Sequence, residues 1–583
     1  MTGRYLIIVS ERAGGGPIDA AVRFDIAARP DVTIVTDEPD LFVMTLGDIA
    51  ARRLPGGRGF LLGTLYPTAS STPVDFAVEA VSGRWAKPDG RGLAHEFWGD
   101  YVAILRDAHG ELAVMRAPFG RLPCFHIRRN GKLLIASDVA LLALAGGQPR
   151  GIDWSMVAYR LAFRDIPSPA TCLQDICELR GGSRLSVTGG HVDIVQVWSP
   201  WDHAGRRHWV SDPDLAASDV WQAVLTTARA AISGADRALL MLSGGLDSSI
   251  LAASLAELGG PYNCFNLSSQ SGVGDERRYA RAVTDWLRAP LIEAIWDVGM
   301  VDISRSHGAA LPNPMARSFM QGTNVALARA TAQSGADLTI DGGGGDNVFC
   351  ALQSVAPVTD AFLHGRSPSA GWATAASIAT LAQVGTATVL MRALQRAFRS
   401  PTYRWQPETR YLAPALFRDG KLTAIHPWLD APKGAETGTA AHIALIVAAQ
   451  GWAEASDLRS PVRHASPLAS QPVVEACLRV PSWWWFKDDR NRAVARAAYA
   501  ALLPAEVIGR RSKGTPDSYI AELYEANRKA IRTMLLDGRL RSAGLLDLPA
   551  LERALGDEGP VRGTAYHQIM RLADTEAWAA AWS

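Results

Sequence analysis

At 583 residues and 48% hydrophobic content, the chain is long enough for two or more domains and too apolar to stay disordered. Its 59 Lys plus Arg balance 58 Asp plus Glu, for a net charge of +1, so no whole-molecule field draws it to nucleic acid or an anionic bilayer, and neither is an expected partner. Six cysteines with no C-x-x-C pair read as reduced, buried thiols, and the short apolar run Tyr5 to Val9, soon followed by Glu11 and Arg12, is no secretory segment, which leads to the expectation of a cytoplasmic protein.

Residues 1–150 read as short strands with turns, at Tyr5 to Val9, Asp31 to Thr36, Gly59 to Leu65, Asp100 to Leu105, Glu111 to Met115 and Lys132 to Ala136, which predicts a β-rich domain. Residues 151–208 read as a connector, with Ile166-Pro167-Ser168-Pro169 and the turn Arg180-Gly181-Gly182-Ser183. Residues 209–583 form the second domain. There the periodicity predicts strand 238–242, helix 248–258, strand 262–267, helix 275–287, strand 291–295, helix 322–333 and strand 337–340. Such alternation indicates an α/β fold with a doubly wound parallel sheet and its ligand at the C-terminal strand edge. Beyond residue 355 the chain reads as mainly helical. The uncharged stretch Gly371 to Met391 is rich in Ala, Thr and Ser, and it reads as a buried helix ahead of a membrane segment.

The first predicted strand runs into Leu242-Ser243-Gly244-Gly245-Leu246-Asp247-Ser248-Ser249. Two glycines permit a tight turn, and the free N–H groups of the following helix favour an anion, with two hydroxyls as further donors. No lysine follows, so this is not the G-x-x-x-x-G-K-[ST] loop. The strand at 337–340 empties into Asp341-Gly342-Gly343-Gly344-Gly345-Asp346, a second glycine loop that ends in a carboxylate and that could otherwise be a flexible linker.

The first loop resembles the PP-loop of enzymes that cleave ATP between its α and β phosphates. The resemblance extends along the chain. Trp98-Gly99-Asp100-Tyr101-Val102-Ala103, Pro118-Phe119-Gly120-Arg121-Leu122-Pro123 and Gly131 to Asp138 resemble the N-terminal-nucleophile (Ntn) glutaminase domain of asparagine synthetases, an αββα fold. That family's nucleophile is a cysteine exposed by Met removal, and here the position is Thr2. Threonine can itself act as a nucleophile, and the other reading is a degenerate glutaminase scaffold kept for packing. Ser466-Pro467-Leu468-Ala469-Ser470-Gln471-Pro472-Val473-Val474-Glu475 resembles the corresponding stretch of lasso-peptide cyclases, and Arg490 to Arg496, Leu503-Pro504 and Arg510-Arg511-Ser512-Lys513-Gly514 continue that likeness.

The resemblance implies an ATP- and Mg²⁺-dependent ligase. Asp247 and Asp346 would share the ion, while Leu242, Ser243, Gly244, Gly245, Ser248, Ser249, Leu267, Ser268, Gly342 and Gly343 would hold the nucleotide. Asp275 and Glu276 are either nucleotide-side acids or a solvated helix start. Asparagine synthetases place a glutamate and a lysine where this chain has Gly343 and Arg492. Arg492 would hold a phosphate or the developing oxyanion, and Lys513 would assist, unless both are surface cations.

The function implied is a macrolactam synthetase that adenylates an Asp or Glu side chain of a leaderless precursor peptide and joins it to the peptide's α-amine. The implied partners are the precursor, a leader-peptide protease and a recognition protein. An ammonia-dependent asparagine synthetase, a β-lactam synthetase-type ligase and an inactive scaffold stay open as alternatives. Trp405 and Trp483-Trp484-Trp485 would line the peptide cavity or pack the core.

Overall fold

The computed structural model describes residues 3–10, 31–76, 89–164, 166–188, 191–269, 276–314, 317–420, 422–454, 462–511, 516–557, 559 and 563–582. Two six-stranded sheets build the N-terminal part. The first sheet is centred on Arg4–Ser10, paired antiparallel to Leu41–Leu46 on one side and Lys132–Ala136 on the other. The second is centred on the hairpin of Gly59–Pro67 with Phe97–Arg106, followed by Leu112–Arg116.

Alternation along the central strands explains why the sheets stack. Tyr5, Ile7 and Val9 join Val43, Leu62, Val102 and Ile104 in one apolar cluster. Their neighbours Leu6 and Ile8 join Met44, Leu61 and Ala103 in another. A period of two thus buries one face of each sheet against the other sheet and its reverse face against the rest of the protein.

The predicted strands of this region are all present, with Lys132–Ala136 matching to the residue. Leu41–Leu46, Ala51–Arg53 and Phe125–Arg129 are strands that the sequence reading passed over. The connector is also more than a link. Cys177–Glu178, Ser183–Thr188 and His191–Gln196 pair into the N-terminal sheets, so those layers extend to residue 196 and not 150. The Gly181-Gly182 turn that suggested a linker is the corner between the first two of these short strands.

The C-terminal part holds a five-stranded sheet in the order Leu291–Ile295, Tyr262–Ser268, Ala238–Met241, Leu338–Ile340 and Arg463–Ala465, every neighbouring pair parallel. Both faces are covered. Leu239 and Phe265 pack with Ala330 of the helix Met320–Ser334, while Leu240 and Cys264 pack with the core that includes Ile250 and Leu251 of the helix Leu246–Leu258. The chain runs outward from Ala238–Met241 in one direction and then returns to add strands on the other side, so the strand order reverses beside Leu338–Ile340. An open α/β sheet offers its ligand crevice at such a point, beyond the carboxyl ends of the strands.

No single helix among the described residues is long and apolar enough to cross a membrane. The uncharged stretch at 371–391 divides into Pro368–Ala382 and Thr386–Ala397, bent by 115°. Gln383 has φ 55° at the break. Trp483 and Trp485 are buried, and Trp485 packs near Phe349 and His442, so these two belong to the core. Of the six thiols, five are buried and Cys177 is half-buried, with no disulfide.

The two parts share an aromatic seam. Phe119 and Trp428 both meet Trp198, at 5.6 and 5.3 Å between ring centroids. Gln471 donates to the Ala94 carbonyl at 2.7 Å, and Gln450 to that of Pro118 at 3.1 Å. Within the seam the Glu475 carboxylate accepts from Trp198 Nε1 and Gln471 Nε2, each at 2.9 Å. Burial pushes this carboxyl up to about 7 despite those two donors. A raised acid stabilises the fold while it is protonated, and that contribution is lost as pH rises toward 7. Replacing Glu475 with Gln keeps a neutral acceptor in place. The variant is expected to gain on the order of 1–3 kcal/mol over the parent at pH 8 and little at pH 5, measured by urea unfolding at both pH values.

Candidate active site

The loop after Ala238–Met241 is shaped by one glycine whose role no other residue can take. Gly244 has φ 73°, and a Cβ there would lie 2.6 Å from Tyr279 Cβ and from the Ala280 nitrogen. Hydroxyls brace the turn. Ser243 and Ser248 bond each other at 3.2 Å, Gly245 N donates to Ser243 Oγ, and Ser249 Oγ donates to the Gly245 carbonyl at 2.8 Å. The helix Leu246–Leu258 begins at once, with Gly245 as its N-cap and no side-chain cap, so its first-turn amides lie at the strand end.

The second glycine loop packs directly against the first. A Cβ on Gly342 would fall 2.9 Å from Ser248 N, and one on Gly345 would fall 2.7 Å from Asp247 Cβ and Cγ. Asp341 anchors this loop from below. Its carboxylate accepts from Gly343 N at 3.0 Å and Ser466 Oγ at 2.8 Å, and it lies 3.2 Å from His464 Nε2. Burial opposes the charge, but His464 and these donors outweigh it and hold the carboxyl below its ordinary range. The far side of the His464 ring is fixed by Thr339 Oγ1, 2.9 Å from Nδ1.

Asp247 and Asp346 meet at a single guanidinium nitrogen. Arg492 Nη1 lies 2.9 Å from Asp247 Oδ1 and 2.5 Å from Asp346 Oδ1. Burial would lower the Arg492 pKa, but the two carboxylates raise it above the ordinary value, so the cation is permanent. Its backbone is in the left-handed region, φ 56° and ψ 32°, immediately before the helix Ala493–Ala498. A non-glycine residue there costs about 1–3 kcal/mol and persists where the surroundings over-determine it.

Mg²⁺ takes hard oxygen donors. The two carboxylates supply such a pair, and the guanidinium at their focus shows that the spot accepts positive charge. No group of three or more His, Cys, Asp or Glu side chains that could hold a metal occurs among the described residues. If Asp247 and Asp346 held such an ion, phosphate oxygens and water would have to complete its shell.

A cleft of about 350 Å³ opens beside this bridge, lined in part by Gly245, Asp346 and four arginines, Arg492, Arg496, Arg510 and Arg511. Backbone carbonyls aim two of them. Arg496 donates to the carbonyls of Asn491, Ile508 and Arg510, and burial followed by repulsion from Arg492 and Arg490 brings its pKa down to about 10. Arg510 donates to the Gly244 carbonyl at 3.1 Å, pairs with Glu276 at 2.8 Å and lies 3.9 Å over the Tyr279 ring. Four arginines around a small cavity, three of them held in place by the contacts above, suit a polyphosphate or a carboxylate.

The structure thus brings together the residues expected at the two loops, along with Arg492. Leu242 and Ser268 lie at adjacent strand ends, but their carbonyls already accept from Asn266 Nδ2 and Trp296 N. Leu267 is half-buried beside them. Glu276 holds Arg510 instead of lying in a solvated face. Thr2, Asp275 and Lys513 lie outside the described residues. The sequence reading missed the parts played by Arg496, Arg510, Asn266 and the Asp341–His464–Ser466 cluster. The density of arginine at 490–496 and 510–511, and a second acid at the near end of the glycine run, were the available signals.

Two stability predictions follow from burial. The Asp247 side chain is 6% exposed and that of Asp346 44%, so Asp247→Ala should cost roughly 3 kcal/mol and Asp346→Ala less than about 1 kcal/mol, both read by urea unfolding. Asp341 has a depressed pKa, so its contribution is complete above the unfolded carboxyl pKa and is lost as pH falls through the folded one. Asp341→Asn should cost on the order of 2 kcal/mol at pH 7, and the difference from the parent should vanish in acid.

A family model described as asparagine synthase matches residues 222–580, more than half of the chain. No curated protein matches. Among solved structures, the chain is similar to one titled "structure of the allosteric regulatory enzyme of purine biosynthesis", at 11% identity over 50% of this chain and 80% of that one, TM-score 0.21. It is also similar to glutamine phosphoribosylpyrophosphate amidotransferase from B. subtilis complexed with ADP and GMP, at 10% identity over 58% and 84%, TM-score 0.20. The chain belongs to the asparagine synthase family, and as a member of that superfamily it is an ATP-dependent, AMP-forming carbon–nitrogen ligase.

Proposed function

We propose that this ligase is a peptide macrolactam synthetase of the lasso-cyclase kind, with a glutaminase-like N-terminal scaffold and a PP-loop ATP site. The observation that carries the reading is a departure from the catalytic layout of asparagine synthetases at two positions. Gly343 stands where those enzymes have a glutamate, and Arg492 stands where they have a lysine and bridges Asp247 and Asp346. A glutamate missing from the second loop leaves room for a bulkier acid.

In this mechanism the loop 243–249 and the arginines of the cleft bind the triphosphate. A side-chain carboxylate of the precursor attacks the α-phosphorus, and the bond to the β-phosphate breaks to release pyrophosphate. Asp247 and Asp346 would be the residues to hold Mg²⁺, which when bound would supply positive charge for the phosphate oxygens. Arg492, cationic throughout, stabilises charge that develops at the α-phosphate or acyl oxygen. The peptide's α-amine then attacks the acyl carbon, AMP leaves with its oxygen, and the amine gives up a proton. The enzyme must hold amine and acyl carbon at near-attack distance, an effect worth up to roughly 7–11 kcal/mol. A leader-peptide protease and a recognition protein are the partners that the lasso-cyclase resemblance implies.

The test is to incubate the purified protein with ATP, Mg²⁺, a matched precursor peptide and its leader protease. Pyrophosphate release with loss of one water from the peptide by mass spectrometry is expected. Release on aspartate plus ammonia alone would favour a small-molecule amide ligase and overturn the proposal. Asp247→Asn and Asp346→Asn should each lower turnover about a hundredfold or more, equal to at least ~2.7 kcal/mol.

A further inference from the structure

The helix Thr386–Ala397 turns its apolar side the wrong way. Val389 and Ala393 are buried against the protein. At 3.6 residues per turn, Met391, Leu394 and Phe398 fall within about 60° of one another on the opposite side, and Leu394 is 63% and Phe398 85% exposed. Trp372, on the preceding helix Pro368–Ala382, is 56% exposed. Eight of the seventeen large apolar residues exposed among the described residues lie between Phe362 and Phe398. Core packing does not explain Met391, Leu394 and Phe398, because their helix already has a separate buried face, whereas Trp372 meets Phe362 edge to face at 6.2 Å.

Charge identifies what would cover the ridge. From residue 361 to residue 407 there is no Asp or Glu, while Arg366, Arg392, Arg396, Arg399 and Arg404 fall in that interval. Arg396 is spent on the carbonyls of Ser400 and Pro401, but Arg392 and Arg399 are exposed on one flank of the apolar stripe. The whole-chain charge of +1 conceals this local excess. An amphipathic helix with outward Leu, Met and Phe, flanking arginines and no acids has the composition of an element that lies in a bilayer interface, its aromatics at headgroup depth and its cations on anionic lipid. The 115° bend between the two helices precludes a straight span.

We propose that the helical hairpin 368–398 is a peripheral docking surface for an anionic lipid bilayer, with Trp372, Met391, Leu394 and Phe398 entering the interface and Arg392 and Arg399 pairing with lipid phosphates. The surface is separate from the nucleotide cleft, and the proposal is independent of the substrate assigned to that cleft. Flotation of the full-length protein with vesicles of phosphatidylglycerol and phosphatidylcholine, compared with phosphatidylcholine alone, tests it. Binding to the mixed vesicles, weakened by salt and reduced about tenfold or more in Leu394→Glu/Phe398→Glu, is the expected result. Circular dichroism and the melting midpoint of the variant distinguish lost docking from lost folding, and Arg392→Glu/Arg399→Glu is expected to lose the preference for anionic lipid without unfolding. Failure of the parent to float with mixed vesicles would overturn the proposal. So would equal flotation of the folded glutamate variant, or a ridge that instead holds two copies of the chain together, seen as a halving of mass in that variant.

Discussion

Two glycine loops in van der Waals contact govern this active site. The carboxylates of Asp247 and Asp346 sit on separate loops at the ends of adjacent strands, and they converge because Gly342 and Gly345 leave no atoms between the loop backbones. Convergence of like charge in a partly buried place is unfavourable, and Arg492 offsets it with one nitrogen shared between both acids. The strained left-handed backbone of Arg492 is then intelligible, since attraction to two carboxylates outweighs a cost of about 1–3 kcal/mol. Arginine is suited to this post because it does not lose its proton.

Around this focus the protein places cations by means of backbone carbonyls, which carry no net charge and do not titrate. Arg496 and Arg510 are oriented by carbonyls of 491, 508, 510 and 244. Their charges are therefore only partly neutralised by acids and remain available to an anion. The Asp341 cluster does the complementary work below the second loop. It keeps a carboxylate ionised in a buried place by surrounding it with donors, and so ties the loop to the neighbouring strand at Ser466 and His464.

Much of the layout was legible in the chain. The parallel strands Ala238–Met241 and Leu338–Ile340 were marked by apolar runs emptying into glycine loops, and the short apolar runs Tyr5 to Val9 and Lys132 to Ala136 marked strands of the N-terminal sheets. Arg463–Ala465 could not be read in this way, because a three-residue edge strand beginning Arg-His has neither length nor hydrophobic pattern. The strands at 177–196 were obscured by prolines and glycines that looked like a linker. At the site, the two glycine loops drew attention to Asp247 and Asp346, their pairing came from the resemblance, and the bridge by Arg492 is visible only in the structure. The arginine pair at 510–511 stood out locally, but nothing near it showed what Arg510 would hold, since its partners Gly244, Glu276 and Tyr279 lie more than 200 residues earlier.

That last separation has a temporal meaning. During synthesis the sheet and both acidic loops emerge well before Arg492 and Arg510, so a nascent chain has paired carboxylates with nothing to neutralise them and a turn whose Gly244 carbonyl lacks its Arg510 donor. Domains are made from the N-terminus onward, and here the nucleotide site matures only when the final hundred residues arrive. A ribosome-bound or prematurely terminated chain would thus carry a nearly complete sheet and yet be unable to spend ATP.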